Sequence, residues 1–173
     1  LPVMEGKAAL FKRFADVDAW PVCLDTQDVD EIVRTVQLIA PVYGGINLED
    51  ISAPRCFEIE ERLRELLDIP VFHDDQHGTA IVVLAALTNS LKLVNKKLSE
   101  ITIVMSGAGA AGTAIARLLT KSGASKIIAF DKDGCVTAGF SGKISEAMKG
   151  ADVFIGVSAP NVLTEDDVAG MAK

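Results

Sequence analysis

Residues 101–131, ITIVMSGAGAAGTAIARLLTKSGASKIIAFD, decide the fold of the chain. The stretch reads as a buried strand that ends at Ser106, a glycine-rich turn, a helix from Thr113 to Lys121, and a second strand that Asp131 closes. The turn has the G-x-G-x-x-G spacing, and a glycine-rich turn between a strand and a helix lets backbone N–H groups approach a pyrophosphate. This order of elements predicts an α/β unit of the Rossmann type that binds a dinucleotide.

The residues predicted to bind the dinucleotide lie at the strand ends of this unit. Asp131 follows Gly107 by 24 residues, which is near the spacing of the acid that binds the ribose hydroxyls. A carboxylate there favours NAD over NADP because it repels a 2′-phosphate, and the alternative is a turn residue in the sequence DKDG at 131–134. A further buried strand, 151–158, ends beside the expected cofactor. The predicted cofactor-binding residues are Ser106, Gly107, Ala108, Gly109, Ala110, Ala111, Gly112, Asp131 and Ser158.

Two acidic pairs in the first half of the chain form a second candidate site. Glu49 and Asp50 end the run GGINLED, and Asp74 and Asp75 end the run PVFHDD, so each pair follows a strand-like segment. Carboxylates at strand ends suit a hard divalent cation, because Mg²⁺ and Mn²⁺ prefer oxygen ligands. The alternative is that these acids are solvated loop residues and a helix N-cap.

The first half also has a β-α-β order, which predicts a parallel sheet with functional residues at its C-terminal strand ends. The predicted elements are a strand at Ala19–Asp25, a helix at Asp28–Ile39, a strand-like end at 44–48, a helix at Ala53–Leu67, a strand at Pro70–Phe72 and a helix at Gly78–Leu93. We place a partial catalytic domain with its bridging helix at 1–94 and a partial Rossmann domain at 95–173.

Lys7 is the candidate general base. A helix predicted from about Gly6 to Phe14 places Lys7 in the first turn, and a helix N-terminus disfavours a cation. A lysine that loses its proton more readily can accept one from a substrate. The alternative is an ordinary surface lysine.

The cysteines and histidines do not predict a zinc site or a disulfide framework. Cys23, Cys56 and Cys135 are an odd number without C-x-x-C spacing, which is typical of a reducing, cytoplasmic compartment. His73 and His77 are four residues apart, but they straddle a strand end and a turn, so we do not expect them to bind metal.

Length and charge exclude other classes of protein. A chain of 173 residues with 49% hydrophobic residues can bury the core of one or two domains. A net charge of −7 argues against a nucleic-acid partner, which requires clustered basic residues. No apolar run is long enough to span a membrane, and we expect no signal peptide.

Five motifs in series resemble the malic enzymes, and the bacterial short form most closely. They are MEGKA at 4–8, GGINLEDI at 44–51, FHDDQHGTA at 72–80, SGAGAAG at 106–112 and GADVFIGVSAPN at 150–161. The resemblance covers essentially the whole chain in the right order. It implies an α/β fold, in which a Rossmann-like NAD(P)-binding domain follows the C-terminal part of an α/β domain that binds malate and metal.

The resemblance also implies an activity and roles for individual residues. Malic enzymes oxidatively decarboxylate L-malate to pyruvate and CO₂ with NAD or NADP and Mg²⁺ or Mn²⁺, and they are usually oligomeric, so a homodimer is expected. By motif, Lys7 is the general base, and Glu49, Asp50 and Asp75 are the metal ligands. Asp74 matches a catalytic acid beside the metal.

The sequence departs from the family pattern in several places. The general-acid tyrosine is expected upstream of Leu1, a substrate-binding segment is expected after the last helix, and part of the usual segment between Asp133 and Ala151 is absent. The chain also opens without Met, so we expect a piece of a longer protein with an incomplete catalytic set.

Two other functions fit parts of the sequence. A module that only senses NAD(H) would need the glycine-rich loop alone, and so would a metal-independent Rossmann dehydrogenase. Neither has a use for three convergent carboxylates at Glu49, Asp50 and Asp75, so these acids distinguish the hypotheses.

Overall fold

A computed structural model describes all residues from 1 to 173, and they form two compact units. The first unit comprises residues 1–51 and 55–72, and the second comprises residues 52–54 and 73–173. None of the helices combines the length and apolar character that crossing a bilayer requires.

The first unit consists of helices that alternate with two short strands. Its elements are α1 (Pro2–Ala15), α2 (Val29–Ile39), a 3-10 turn (Ala40–Val42), β1 (Ile46–Leu48), α3 (Arg55–Leu66) and β2 (Val71–His73), whose last residue belongs to the second unit. Asp28 is the N-cap of α2, and its Oδ1 accepts the backbone N–H of Glu31 at 2.9 Å. The core of this unit is one cluster of buried apolar side chains, made of Ile32, Val33, Val36, Leu48, Ile59, Leu63 and Val71.

The β-α-β order predicted from the strand at 19–25, the helix at 28–39 and the strand-like end at 44–48 is wrong, because its first strand is absent. The unit instead has β1, α3 and β2 in that order, and β1 and β2 are neighbours in one sheet. The strand predicted at Ala19–Asp25 is wrong, since these residues form no strand. The backbone there has no neighbouring strand to pair with, and Pro21 has no N–H to donate. Trp20 is 77% exposed, so the apolar residues of this segment are not core residues.

The second unit is a four-stranded sheet with helices on both faces. Its elements are α4 (Asp74–Leu93), β3 (Thr102–Ser106), α5 (Ala110–Lys121), β4 (Lys126–Asp131), β5 (Gly134–Cys135), α6 (Ile144–Ala147), β6 (Val153–Gly156) and α7 (Glu165–Ala169). The strand order is β5-β4-β3-β6, in which β3 is parallel to β4 and β6, and β5 is antiparallel to β4. β3 is therefore the strand at which the chain switches from one side of the sheet to the other.

The core of the second unit has two layers, one on each face of the sheet. Ile103 and Met105 of β3 face α4 and α5, where they pack with Leu91 and Ile115. The alternate residue Val104 belongs to the opposite layer, whose other members are Ile128, Phe130, Ala147, Met148 and Ala151. This alternation is the period-two pattern of a strand buried on both faces.

α4 begins four residues earlier than predicted, at Asp74 instead of Gly78. Asp74 and Asp75 therefore lie in the first turn of a helix, where the N-terminal dipole favours carboxylates. α4 packs on α5 and belongs to the second unit, so the compact units change between residues 72 and 73. The boundary that we predict after residue 94 divides sequence domains and stays a prediction.

The short segment before β6 contains one strand that the sequence did not predict. β5 pairs with the end of β4, and Thr137 Oγ1 then accepts the backbone N–H of Ala129 at 2.8 Å. A brief helix, α6, begins at Ile144, and Thr164 caps α7 by accepting the backbone N–H of Asp167 at 3.2 Å.

Candidate functional site

The glycine-rich loop between β3 and α5 depends on its first and third glycines for close packing. Gly107 has a φ of 112°, and a Cβ there would lie 2.8 Å from the carbonyl oxygen of Val157. A Cβ on Gly112 would lie 1.8 Å from the carbonyl oxygen of Gly107. Gly109 is different, because a Cβ there would meet nothing within 4 Å, so open space lies beside the N-terminus of α5. These are the properties that a pyrophosphate-binding loop requires.

Ser106 and Ser158, both predicted to bind cofactor, are in contact with each other. Their Oγ atoms lie 2.7 Å apart, at the ends of the parallel strands β3 and β6. Ser106 is buried, whereas Ser158 is exposed. The hydroxyl pair links the two strand ends on either side of the switch point, where ligands bind in open α/β sheets.

Asp131 lies at the end of β4 and has the turn contacts that the alternative interpretation predicts. Its Oδ1 accepts the backbone N–H groups of Asp133 at 2.8 Å and Gly134 at 3.0 Å. Asp131 also lines a cleft of about 500 Å³ together with Ser106, Lys132 and other residues. The turn uses one carboxylate oxygen, so this geometry is compatible with a ribose contact through the other.

Lys7 and Glu49 form an ion pair within the first unit. Lys7 Nζ lies 3.0 Å from Glu49 Oε2, and the side chains are 26% and 7% exposed, respectively. Asn47 Nδ2 donates to the same carboxylate oxygen at 3.3 Å. The predicted base is therefore held against a predicted metal ligand directly after β1.

The helix position predicted for Lys7 is wrong. α1 begins at Pro2, and proline is favoured in the first turn because it has no N–H to satisfy. Lys7 consequently lies in the second turn, so the argument from the helix N-terminus does not apply to it. Contact with Glu49, not the helix end, defines the surroundings of Lys7.

The two acidic pairs follow neighbouring strands. Glu49 and Asp50 come after β1, Asp74 and Asp75 come after β2, and these strands form one two-stranded sheet. Asp50 is exposed and has a φ of 55°, a left-handed conformation that aspartate tolerates better than most residues.

His73, which the sequence does not predict as a site residue, is the last residue of β2. It is 0% exposed, and its Nε2 lies 3.4 Å from Asp75 Oδ2. The sequence signal that points to it is a polar residue at the end of a buried strand, directly before two acids.

The second unit has the strand order and the glycine-rich loop of the dinucleotide-binding α/β proteins. The family model described as the malic enzyme N-terminal domain matches residues 1–64, and the malic enzyme NAD-binding domain matches residues 76–146. The chain belongs to the malic enzyme family. The predicted family and fold class are confirmed.

Individual relatives agree with the family models. The chain is 54% identical to the NAD-dependent malic enzyme of Geobacillus stearothermophilus, over 100% of this chain and 40% of that protein. It is 46% identical to the NADP-dependent malic enzyme of Salmonella typhimurium, over 99% of this chain and 25% of that protein. The solved structure of the NAD-dependent malic enzyme from Thermotoga maritima matches with a TM-score of 0.94 at 44% identity, over 99% of this chain and 51% of that one. The chain thus spans about half or less of the length of these relatives.

Proposed function

We propose that the intact protein oxidatively decarboxylates L-malate to pyruvate and CO₂, with reduction of NAD or NADP and a requirement for Mg²⁺ or Mn²⁺. The observation that carries the proposal is the ion pair between Lys7 Nζ and Glu49 Oε2 at 3.0 Å. The base and the metal both contact the C2 oxygen of malate in this reaction. The base therefore has to lie next to a ligand of the metal. The malic enzyme names of the relatives support the same reaction.

Glu49, Asp50 and Asp75 are the proposed metal ligands. Asp74, which precedes Asp75 in the chain, is the proposed active-site acid. Three carboxylates are the donor set that a hard divalent cation prefers, and they leave coordination positions for substrate or water. Each acidic pair directly follows a strand, Glu49 and Asp50 after β1 and Asp74 and Asp75 after β2, as expected for acids at strand ends. When bound, the cation supplies Lewis-acid polarisation of the substrate oxygens.

Lys7 has the proton-transfer role in this reaction. In its neutral form Lys7 would accept the proton of the C2 hydroxyl of malate, and the dinucleotide held by the loop at 106–112 would supply the hydride acceptor for C2. The C4 carboxylate then leaves as CO₂, and the enolate that remains is protonated at C3 to give pyruvate. Glu49 orients the Lys7 amine by direct contact, which fixes the base before substrate binds.

The proposed dinucleotide site is the loop at 106–112 together with Asp131 and Ser158. Open space at Gly109 and the N-terminus of α5 suit a pyrophosphate. The carboxylate of Asp131 favours NAD over NADP, because it repels a 2′-phosphate.

Two further properties of the intact protein belong to the same proposal. Exposed apolar side chains near the start of the chain, including Phe14 at 81% and Trp20 at 77%, support a homodimer. The three free cysteines support a reducing, cytoplasmic compartment.

The deciding experiment measures reduction of NAD and of NADP by the intact protein with L-malate, with and without Mn²⁺. We expect turnover only with the cation, and faster turnover with NAD. Asp75→Ala should abolish turnover while NADH still binds. Equal activity after complete metal removal would instead support a metal-independent Rossmann dehydrogenase, and NADH binding without any turnover would support a sensor module.

A further inference from the structure

We propose that His73 is a positioning residue that holds the carboxylate of Asp75 in the orientation required for binding a divalent cation. The inference rests on the proposed metal site. The imidazole is 0% exposed, and its Nε2 lies 3.4 Å from Asp75 Oδ2. Neither ring nitrogen has a hydrogen-bond partner.

A buried imidazole without a partner is an exception that requires a reason. Buried polar side chains are nearly always hydrogen-bonded, since burial removes the water that would otherwise bind them. The Asp75 carboxylate, with Oδ2 at 3.4 Å from Nε2, is a group that can accept the Nε2 proton. A small rotation of this carboxylate brings Oδ2 within hydrogen-bond distance of the Nε2–H group.

The backbone fixes this pair at the junction between a strand and a helix. His73 ends β2 in an extended conformation, and Asp75 lies two residues later in the first turn of α4. The histidine is fully buried, whereas the Asp75 side chain is 41% exposed. The buried imidazole therefore offers a fixed donor to an acid that also faces solvent.

A hydrogen bond from His73 to one carboxylate oxygen of Asp75 determines the direction in which the other oxygen points. If Nε2–H donates to Oδ2, then Oδ1 is presented to the cation, and the hydrogen bond restricts rotation of the carboxylate plane. Metal-binding carboxylates are commonly held by hydrogen bonds of this kind, and loss of such a bond weakens metal binding. His73 thus acts through Asp75 and is not itself a ligand in this proposal.

The test measures Mn²⁺ binding to the intact protein without substrate. The EPR signal of free Mn²⁺ reports how much of the ion remains unbound. His73→Phe keeps a planar ring but has no N–H donor, and we expect it to weaken Mn²⁺ binding by about 10- to 100-fold. His73→Gln places an amide N–H near the position of Nε2, and we expect its affinity to stay within about threefold of the original. Thermal unfolding and NADH binding of each variant show whether the fold is retained.

The two variants separate a positioning role from a merely structural one. Equal loss of Mn²⁺ affinity in His73→Phe and His73→Gln would overturn the proposal, and so would unchanged affinity in His73→Phe. Asp75→Asn is the reference for the metal site itself. If Asp75→Asn binds Mn²⁺ like the original protein, the proposed metal site is wrong; if only Asp75→Asn loses affinity, the metal site stands and the role of His73 is wrong.

Discussion

The carboxylate of Asp74 lies directly over Gly78, one helical turn later, so that a Cβ built on Gly78 would lie 2.2 Å from Asp74 Oδ1. Glycine within a helix costs about 0.5–1 kcal/mol relative to alanine. The missing side chain of Gly78 leaves room for the Asp74 carboxylate at the start of α4, which is a reason for a glycine at this position despite its cost. Gly78 therefore determines where the proposed active-site acid can point.

We expect Gly78→Ala to lower kcat on the order of 10²-fold, because a displacement of about 1 Å in a catalytic group has an effect of that size. The melting temperature should stay the same or rise, since alanine is the better helix former. The measurement is a double-mutant cycle with Asp74→Ala. If Gly78 acts through Asp74, adding Gly78→Ala to Asp74→Ala has no further effect on kcat, whereas multiplied losses would contradict this role.

Lys7→Met should lower kcat by about 10²- to 10⁴-fold, the usual contribution of a general base. Methionine keeps the length of the side chain and removes the amine that contacts Glu49. Lys12→Met is the matched control, because Lys12 lies in the same helix and pairs only with the exposed Asp16 and Asp18. Steady-state assays of both variants with L-malate compare the two lysines, and equal activities would remove Lys7 from the mechanism.

Local signals in the sequence were sufficient for some elements and not for others. α2 was predictable because the Asp28 cap and the buried Ile32, Val33 and Val36 lie within one short stretch. The segment 19–25 was mispredicted because strand formation depends on a distant partner, which composition does not reveal. Pro2 would have indicated the start of α1, but the apolar residues after Gly6 obscured it.

The candidate site divides in the same way. The glycine-rich loop is a local pattern, and the structure gives each of its glycines a steric environment that the motif anticipates. The contact between Lys7 and Glu49 joins residues far apart in sequence, so only the family resemblance suggested it. His73 was not predicted as a site residue. Its imidazole is unusual because it is buried, and the sequence around a strand end does not reveal burial.

Two glycine substitutions should separate cofactor binding from loop stability. Gly109→Ala adds a methyl group to open space, so stability should fall by at most about 1 kcal/mol, the cost of alanine at an N-cap. The methyl group would occupy the proposed pyrophosphate position and weaken NADH binding. Gly112→Ala forces a contact with Gly107 and should lower both stability and affinity. Fluorescence titration with NADH and thermal unfolding test both variants, and normal NADH affinity in Gly109→Ala would contradict the proposed binding mode.

The ion pair between Lys96 and Asp152 should make the second unit sensitive to acid. Their Nζ and Oδ1 atoms lie 2.6 Å apart, and Thr102 N–H donates to Asp152 Oδ2 at 2.8 Å. Both groups hold the pKa of Asp152 below its ordinary value, and the Lys96 ammonium has the larger effect, ahead of the Thr102 N–H. Because the folded pKa lies below the unfolded one, this stabilisation is present above about pH 4 and is lost as the pH falls through the folded pKa.

We therefore expect Asp152→Asn to lower the free energy of unfolding by about 1 kcal/mol at pH 7, with the difference shrinking below about pH 4. Denaturant unfolding across this pH range is the measurement. Glu100→Gln, which removes an exposed pair with Lys97, should change stability by less than about 0.5 kcal/mol. A loss in Asp152→Asn that stays constant down to pH 2 would mean that the charge of Asp152 is not its cause.

Asp131→Asn tests whether this residue selects the cofactor or only shapes a turn. The Asn Oδ1 can still accept the N–H groups of Asp133 and Gly134, so the turn should persist without the charge. Without the charge, a 2′-phosphate is no longer repelled, and Lys132 and Lys143 line the same cleft as partners for it. The ratio of kcat/KM for NAD to that for NADP should fall at least about tenfold, the smaller end of a charge-pair energy near a protein surface. Asp133→Asn is the charge-matched control, and a ratio that changes equally in both variants would leave Asp131 with the turn as its only role.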